Sequence, residues 1–199
     1  MSKLFYSSAS PYSAKVRLSA AYLDFPVEIV VVNTNDNPPE LIAANPLGKI
    51  PALLLDDGDA LFDSRVITQY LNRACGNRLF PRNAERRMEA ERYEALADGV
   101  TDAAIATVYE RRFRPEEKVH QPWIDRQWGK VERGLDALDA APPRLAGKPH
   151  AGHFALRSLL GYLALRFPGK WEKGRSRLRR WADRFDQRFP ELKALLPSG

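Results

Sequence analysis

One cysteine, three histidines and two methionines are the whole stock of soft or imidazole ligands in these 199 residues. A lone cysteine, Cys75, excludes an intrachain disulfide and any Cys-x-x-Cys redox pair. Together with so few histidines it also argues against a structural zinc site, and no metal is expected. Runs of about 18 uninterrupted apolar residues are absent, so no segment is expected to span a bilayer. The opening residues, Met1-Ser2-Lys3-Leu4-Phe5-Tyr6, carry one basic residue, and Ser7, Ser8 and Ser10 interrupt any apolar stretch beyond them. No secretory signal is read there, and a cytoplasmic location is expected. Internal repeats and low-complexity tracts are lacking as well. A reactive sulfur, if the protein uses one, has to arrive with a bound molecule.

Set against these absences is a globular balance of 44% hydrophobic and 28% charged residues. The length allows one large domain or two compact ones. A net charge of +6 raises nucleic acid as a partner, but the excess is local. Residues 1–80 are nearly balanced, whereas residues 166–188 hold nine basic and three acidic side chains. Such patterning on an amphipathic helix reads as a solvated face, so nucleic acid is not expected as a partner.

The first eighty residues alternate strand and helix patterns. Leu4-Phe5-Tyr6 reads as a short strand, and Ser10-Pro11 opens a helix to about Leu23, with serine as N-cap and proline at the first turn. Val27 to Val32, an apolar run, is expected to be a fully buried strand, and Pro39 to Ala44 a short helix. Residues 51–55 and 60–62 flank Asp57-Gly58, a hairpin signal that predicts antiparallel strands. Asp63-Ser64 then caps a helix through Ala74. After Phe80-Pro81 only helical periodicity remains, which predicts a boundary between domains 1–80 and 81–199. Long helices are expected from Asn83 to Arg112, Glu116 to Ala140, Phe154 to Phe167 and Gly174 to Phe189. The third of these is apolar on most sides and should be the buried centre.

Three stretches carry chemistry. Ser10 stands where a strand end meets a helix N-terminus, whose free N–H groups and partial positive charge stabilise an anion such as a thiolate. A serine there also simply caps a helix. Asn45-Pro46-Leu47-Gly48-Lys49-Ile50-Pro51 turns into a strand through a proline. A cis Ile50–Pro51 bond would free the Ile50 backbone to pair with an extended peptide, and a trans bond would merely start the strand. Asp63 and Ser64 place a carboxylate and a hydroxyl beside a helix start, apt for the ammonium and carboxylate of an amino-acid head group, or for plain capping.

Ser10-Pro11-Tyr12-Ser13 looks like the Cys-Pro-Tyr-Cys of a glutaredoxin with both sulfurs replaced by oxygen. Gly48-Lys49-Ile50-Pro51 followed by Asp63-Ser64-Arg65-Val66-Ile67 resembles the glutathione-binding loops of the cytosolic glutathione transferases. Residues 96–104 and 161–168 resemble the helical domain of bacterial members of that family. The resemblance covers essentially the whole chain. It implies an α/β thioredoxin-like domain over 1–80, an all-α domain over 81–199 and a homodimer. It also implies glutathione as co-substrate.

By family position Ser10 is the hydroxyl that hydrogen-bonds the glutathione sulfur, as in serine-type theta and zeta classes. Lys49 then lies near the glycyl carboxylate, and Ile50, with Pro51, pairs through its backbone with the cysteinyl unit. Asp63 and Ser64 hold the γ-glutamyl head. The activity implied is a detoxifying glutathione transferase acting on a small hydrophobic electrophile, with peroxidase or dehalogenase chemistry compatible. Tyr6 and Tyr12 rank behind Ser10, and Val108, Tyr109 and Arg112 are expected along the electrophile pocket. A non-catalytic regulatory protein of the same fold is the alternative. One departure stands out: His150-Ala151-Gly152-His153 occupies the place of a Ser or Thr cap followed three residues later by Asp. Loss of that capping box is expected to cost about 0.5–2 kcal/mol.

Overall fold

The computed structural model describes all 199 residues. Strand β1 (Lys3–Tyr6) leads through helix α1 (Pro11–Tyr22) to β2 (Glu28–Val31) and the short α2 (Pro39–Ala44). The hairpin strands β3 (Ala52–Leu54) and β4 (Ala60–Leu61) come next, then α3 (Ser64–Ala74). The sheet order is β2-β1-β3-β4, parallel between β1 and β2 and antiparallel elsewhere. A parallel pair needs a crossover, which α1 supplies. Gly58, at φ +94°, makes the β3–β4 turn that Asp57-Gly58 predicts. From Ala84 onward the chain is helical: α4 (Ala84–Arg112), α5 (Gln121–Ala140), α6 (Ala151–Arg166) and α7 (Ser176–Arg188). This is a thioredoxin-like α/β unit followed by an all-α unit.

Alternation along the strands splits the apolar side chains between two faces of the sheet. Leu4 and Leu53 join a core of 31 buried residues that continues through α1 and α3 into the long helices. Phe5 and Ala52 meet Leu41 and Ala44 of α2 on the other face. At the centre α6 is buried at every residue from Ala151 to Leu163, and it packs on both α1 and α4. That burial is what its apolar composition predicts.

Several expectations need correction. The apolar run at β2 is not a fully buried strand: β2 is the sheet edge, with β1 as its one neighbour, and Val31 is 70% exposed. An apolar run marks strand propensity and does not separate a central strand from an edge. Helix α5 starts at Gln121 rather than Glu116, because residues 116–118 form a separate 3-10 turn and Pro122 occupies the first turn of the helix. Helix α6 starts at Ala151 rather than Phe154. Cys75 is half-buried at the C-cap of α3. A 3-10 segment at Pro190–Leu195 had no recognised signal.

The departure at α6 also resolves differently. His153 Nδ1 accepts the His150 backbone N–H at 3.1 Å, which leaves its Nε2–H to donate to the Arg144 carbonyl at 3.0 Å. A neutral imidazole thus does the work of the acidic residue in the box, and the expected loss of that interaction does not occur. Burial pushes both imidazoles down, His150 to about 3, and the neighbouring His153 adds to that lowering.

Candidate functional site

Three loops converge at one end of the sheet. Ser10 is the N-cap of α1, and its Oγ accepts the Ser13 backbone N–H at 3.2 Å. Its hydroxyl proton stays free to be donated. The second loop is pinned by the buried Asn45, whose Oδ1 accepts the Leu47 N–H at 3.1 Å. Asn45 Nδ2 donates to the Lys49 carbonyl at 2.8 Å. Between them Gly48 turns at φ +60°, where a Cβ would sit 3.1 Å from Ile42 Cδ1. The Ile50–Pro51 bond is cis. The third loop ends in Asp63, N-cap of α3, whose Oδ1 accepts the Arg65 N–H at 2.8 Å. Ser64 is next in the chain, buried.

Ser10, Lys49, Ile50, Pro51, Asp63 and Ser64 all line one cleft of about 560 Å³. Its far wall comes from α4 and α6, including Tyr109, Arg112 and Tyr162. Two of the three residues expected there are present. Val108 is the exception: it packs against the main core, because position 108 points to the buried side of α4.

The tyrosines separate cleanly. Tyr6 packs against the core under the Arg17 guanidinium, 4.6 Å from its ring centroid, and is not on the cleft. Tyr12 does line it. Its hydroxyl donates to Asp102 Oδ1. Burial, and then the Asp102 carboxylate, drive the phenol far above its ordinary range, so it remains protonated.

From the cleft wall at Arg65 and Asp98 a largely buried charge cluster runs inward, one that sequence reasoning did not single out. Asp98 Oδ2 of α4 accepts from Lys15 Nζ of α1 and from Arg65 Nε of α3, each at 2.8 Å. Glu94 Oε1 takes a second Lys15 contact at 3.2 Å, and burial pushes the Glu94 carboxyl up against the opposing pull of Lys15. The available signal was a lysine inside the otherwise small and apolar Ala14-Lys15-Val16 stretch, and acids four apart on a helix that must pack.

Comparison with known proteins identifies the family of the fold that carries this cleft. Residues 4–78 match the model of the glutathione S-transferase N-terminal domain, and residues 121–184 match that of the C-terminal domain. A glutathione S-transferase from Methylobacillus flagellatus KT, solved with glutathione bound, is 38% identical with a TM-score of 0.90, covering 100% of both chains. A glutathione transferase family member from Pseudomonas fluorescens Pf-5, also with bound glutathione, is 35% identical with a TM-score of 0.92, again over 100% of both. The uncharacterized GST-like protein YibF of Escherichia coli K12 is 35% identical over 48% of this chain and 47% of its own length. The match thus spans about half of that curated relative, while it runs the full length of the two solved structures.

Proposed function

Because this chain belongs to the glutathione S-transferase family, we propose that it is a glutathione transferase that ionises the glutathione thiol at Ser10. The thiolate then attacks a small hydrophobic electrophile held by α4 and α6. In this reading residues 1–80 bind glutathione and residues 81–199 bind the second substrate. Lys49 meets the glycyl carboxylate, Ile50 and Pro51 present the backbone that pairs with the cysteinyl unit, and Asp63 with Ser64 holds the γ-glutamyl head. A cytoplasmic homodimer with a detoxifying role belongs to the same reading. No helix is long and apolar enough to cross a membrane.

The observation that carries the reading is convergence: six residues from three separate loops, each matching a position in the family's motif, line one cleft. Energetics are adequate for thiol activation. A free thiol near pKa 8.5 is mostly protonated at neutral pH. A charge-assisted hydrogen bond is worth about 1.5–3 kcal/mol, and one pKa unit corresponds to about 1.4 kcal/mol. The Ser10 hydroxyl and the α1 N-terminus together therefore lower the thiol by about one to two units, enough to make thiolate a major species.

The test is a calorimetric titration with glutathione, followed by the ultraviolet thiolate spectrum of the complex across pH. Saturable binding with a thiolate transition below that of free glutathione is expected. Absence of binding at millimolar glutathione would remove the reading.

A further inference from the structure

The wall of the cleft opposite Ser10 carries two cations with nothing to neutralise them. Arg112 is the last residue of α4 and Arg166 the last of α6, and both line the cleft. Neither enters an ion pair. Arg166 Nε is buried and has no hydrogen-bond partner, a costly state for a guanidinium donor. The three acids that share the cleft are engaged elsewhere: Asp63 by the Arg65 backbone N–H at the start of α3, Asp98 by Lys15 and Arg65, Asp102 by the Tyr12 hydroxyl. Tyr162 sits one turn before Arg166, and burial pushes its phenol up to about 12 although both arginines pull the other way. It supplies no negative charge at neutral pH.

Flat apolar surface lies beside the cations. Tyr109 precedes Arg112 by one turn, with the guanidinium 5.9 Å from its ring centroid. Tyr109 and Phe113 meet edge to face at 5.2 Å and are 49% and 60% exposed. A helix C-terminus favours a cation, which accounts for the residue type at the ends of α4 and α6. It does not account for the buried Arg166 donor left unpaired or for the bare aromatic rings beside Arg112.

We propose that Arg112 and Arg166 are specificity-determining residues that hold a carboxylate on the second substrate, so that the preferred electrophile is a flat, conjugated or aromatic acid. This inference rests on the glutathione-transferase reading and refines its expectation of a merely hydrophobic electrophile. Planar guanidinium forks match carboxylate geometry, and the ring of the acid stacks on one of Tyr109 and Phe113 and meets the other edge to face. For an aryl chloride of this class the thiolate sulfur bonds to the ring carbon. The carbon–chlorine bond then breaks, and chloride leaves with its electron pair. The thiol proton has already passed to water.

Two unreactive conjugates of one shape, S-(carboxybenzyl)glutathione and its carboxamide, separate the possibilities. Each is titrated calorimetrically into the full-length protein and into the Arg112→Gln, Arg166→Gln and double variants. The acid is expected to bind the wild type about 10-fold more tightly than the amide. Each single substitution should shrink that preference and the double variant should abolish it. Arg166→Lys, which keeps a charge without the fork, should retain part of it. Affinity for glutathione alone should stay constant throughout, which also reports that the variants are folded. Equal binding of acid and amide by the wild type overturns this inference and leaves the parent reading intact, as does a preference that survives the double substitution. If the wild type binds neither conjugate nor glutathione, the parent reading fails and this one falls with it.

Discussion

Lys15 Nζ lies 2.8 Å from Asp98 Oδ2, and the two side chains are 1% and 5% exposed. They join α1, which carries Ser10 at its start, to α4, which walls the other side of the cleft. Two acids and two bases share the cluster once Glu94 and the half-exposed Arg65 are counted, so burial of the acids is tolerable only while their charges are matched.

Removing one partner should therefore cost more than removing a matched pair. Lys15→Met leaves the buried Glu94 without a base, while Asp98 keeps Arg65, and is expected to destabilise the protein by about 3–5 kcal/mol. Combining Lys15→Met with Glu94→Gln should recover a good part of that loss, since one buried acid is then neutral. Urea midpoints of the wild type and the two variants read this directly. A single variant as stable as the wild type would show that the cluster is dispensable.

The histidine cap of α6 makes stability depend on pH. Both imidazoles are held below their ordinary value of 6.5 in the folded chain, His150 at about 3, by burial. The unfolded chain takes up these protons near pH 6.5 while the folded chain does not. The stabilisation is thus complete above about pH 6.5 and is lost as pH falls toward the folded values, by at most about 1.4 kcal/mol per pH unit for each histidine. Urea midpoints measured between about pH 7.5 and about pH 5 should fall on acidification. His153→Asp, which returns the ordinary acidic residue of the box, should flatten the slope. A midpoint that does not move over this range would contradict the assignment.

Legibility in the sequence tracks the range of the interactions. Ser10 before Pro11, Asp57-Gly58 and Asp63 before a helix are read over a few residues, and each forms the cap or turn that its local chemistry dictates. The burial of α6 was legible because nearly every side is apolar. Environment was not: Val27 to Val32 has the composition of a central strand and lies at an edge, since neighbours on a sheet are chosen by the rest of the chain. Likewise Lys15, Arg65 and Asp98 come from three helices, and no spacing along one segment encodes their meeting. Arg166 lies within the 161–168 stretch that resembles the family, but its unpaired Nε becomes visible only with α4 and α6 side by side.

Helix contacts at the centre leave no room for a methyl group at Gly152. A Cβ there would lie 2.8 Å from the Ala90 carbonyl oxygen and 2.6 Å from Tyr93 Cβ, and the carbonyl belongs to the backbone of α4. Gly152→Ala is expected to destabilise by about 1–3 kcal/mol through overpacking. Gly99 provides the control, because nothing lies within 4 Å of its Cβ position and it is exposed inside the same α4. Gly99→Ala should stabilise by up to about 1 kcal/mol through helix propensity. Thermal unfolding of the two variants should move in opposite directions.

Substitution at Ser10 has to separate two roles of one oxygen. As N-cap its Oγ accepts from Ser13 N–H, and loss of a cap costs about 0.5–2 kcal/mol of stability. As thiolate partner its hydroxyl donates in the opposite direction, and loss of that bond raises the bound thiol's pKa. Ser10→Ala removes both and is expected to lower turnover by about 10-fold or more at neutral pH, from the roughly 1.5–3 kcal/mol that a charge-assisted bond supplies. KM for glutathione should change little, because the rest of the tripeptide is held by the other two loops. Ser10→Asp separates the roles: a carboxylate is a good cap and restores stability, yet it repels a thiolate and has no proton to donate, so turnover stays low. Turnover that returns with stability in Ser10→Asp would reduce Ser10 to a cap and transfer the sulfur to another donor on the same cleft, where the Tyr12 hydroxyl could serve only by leaving Asp102.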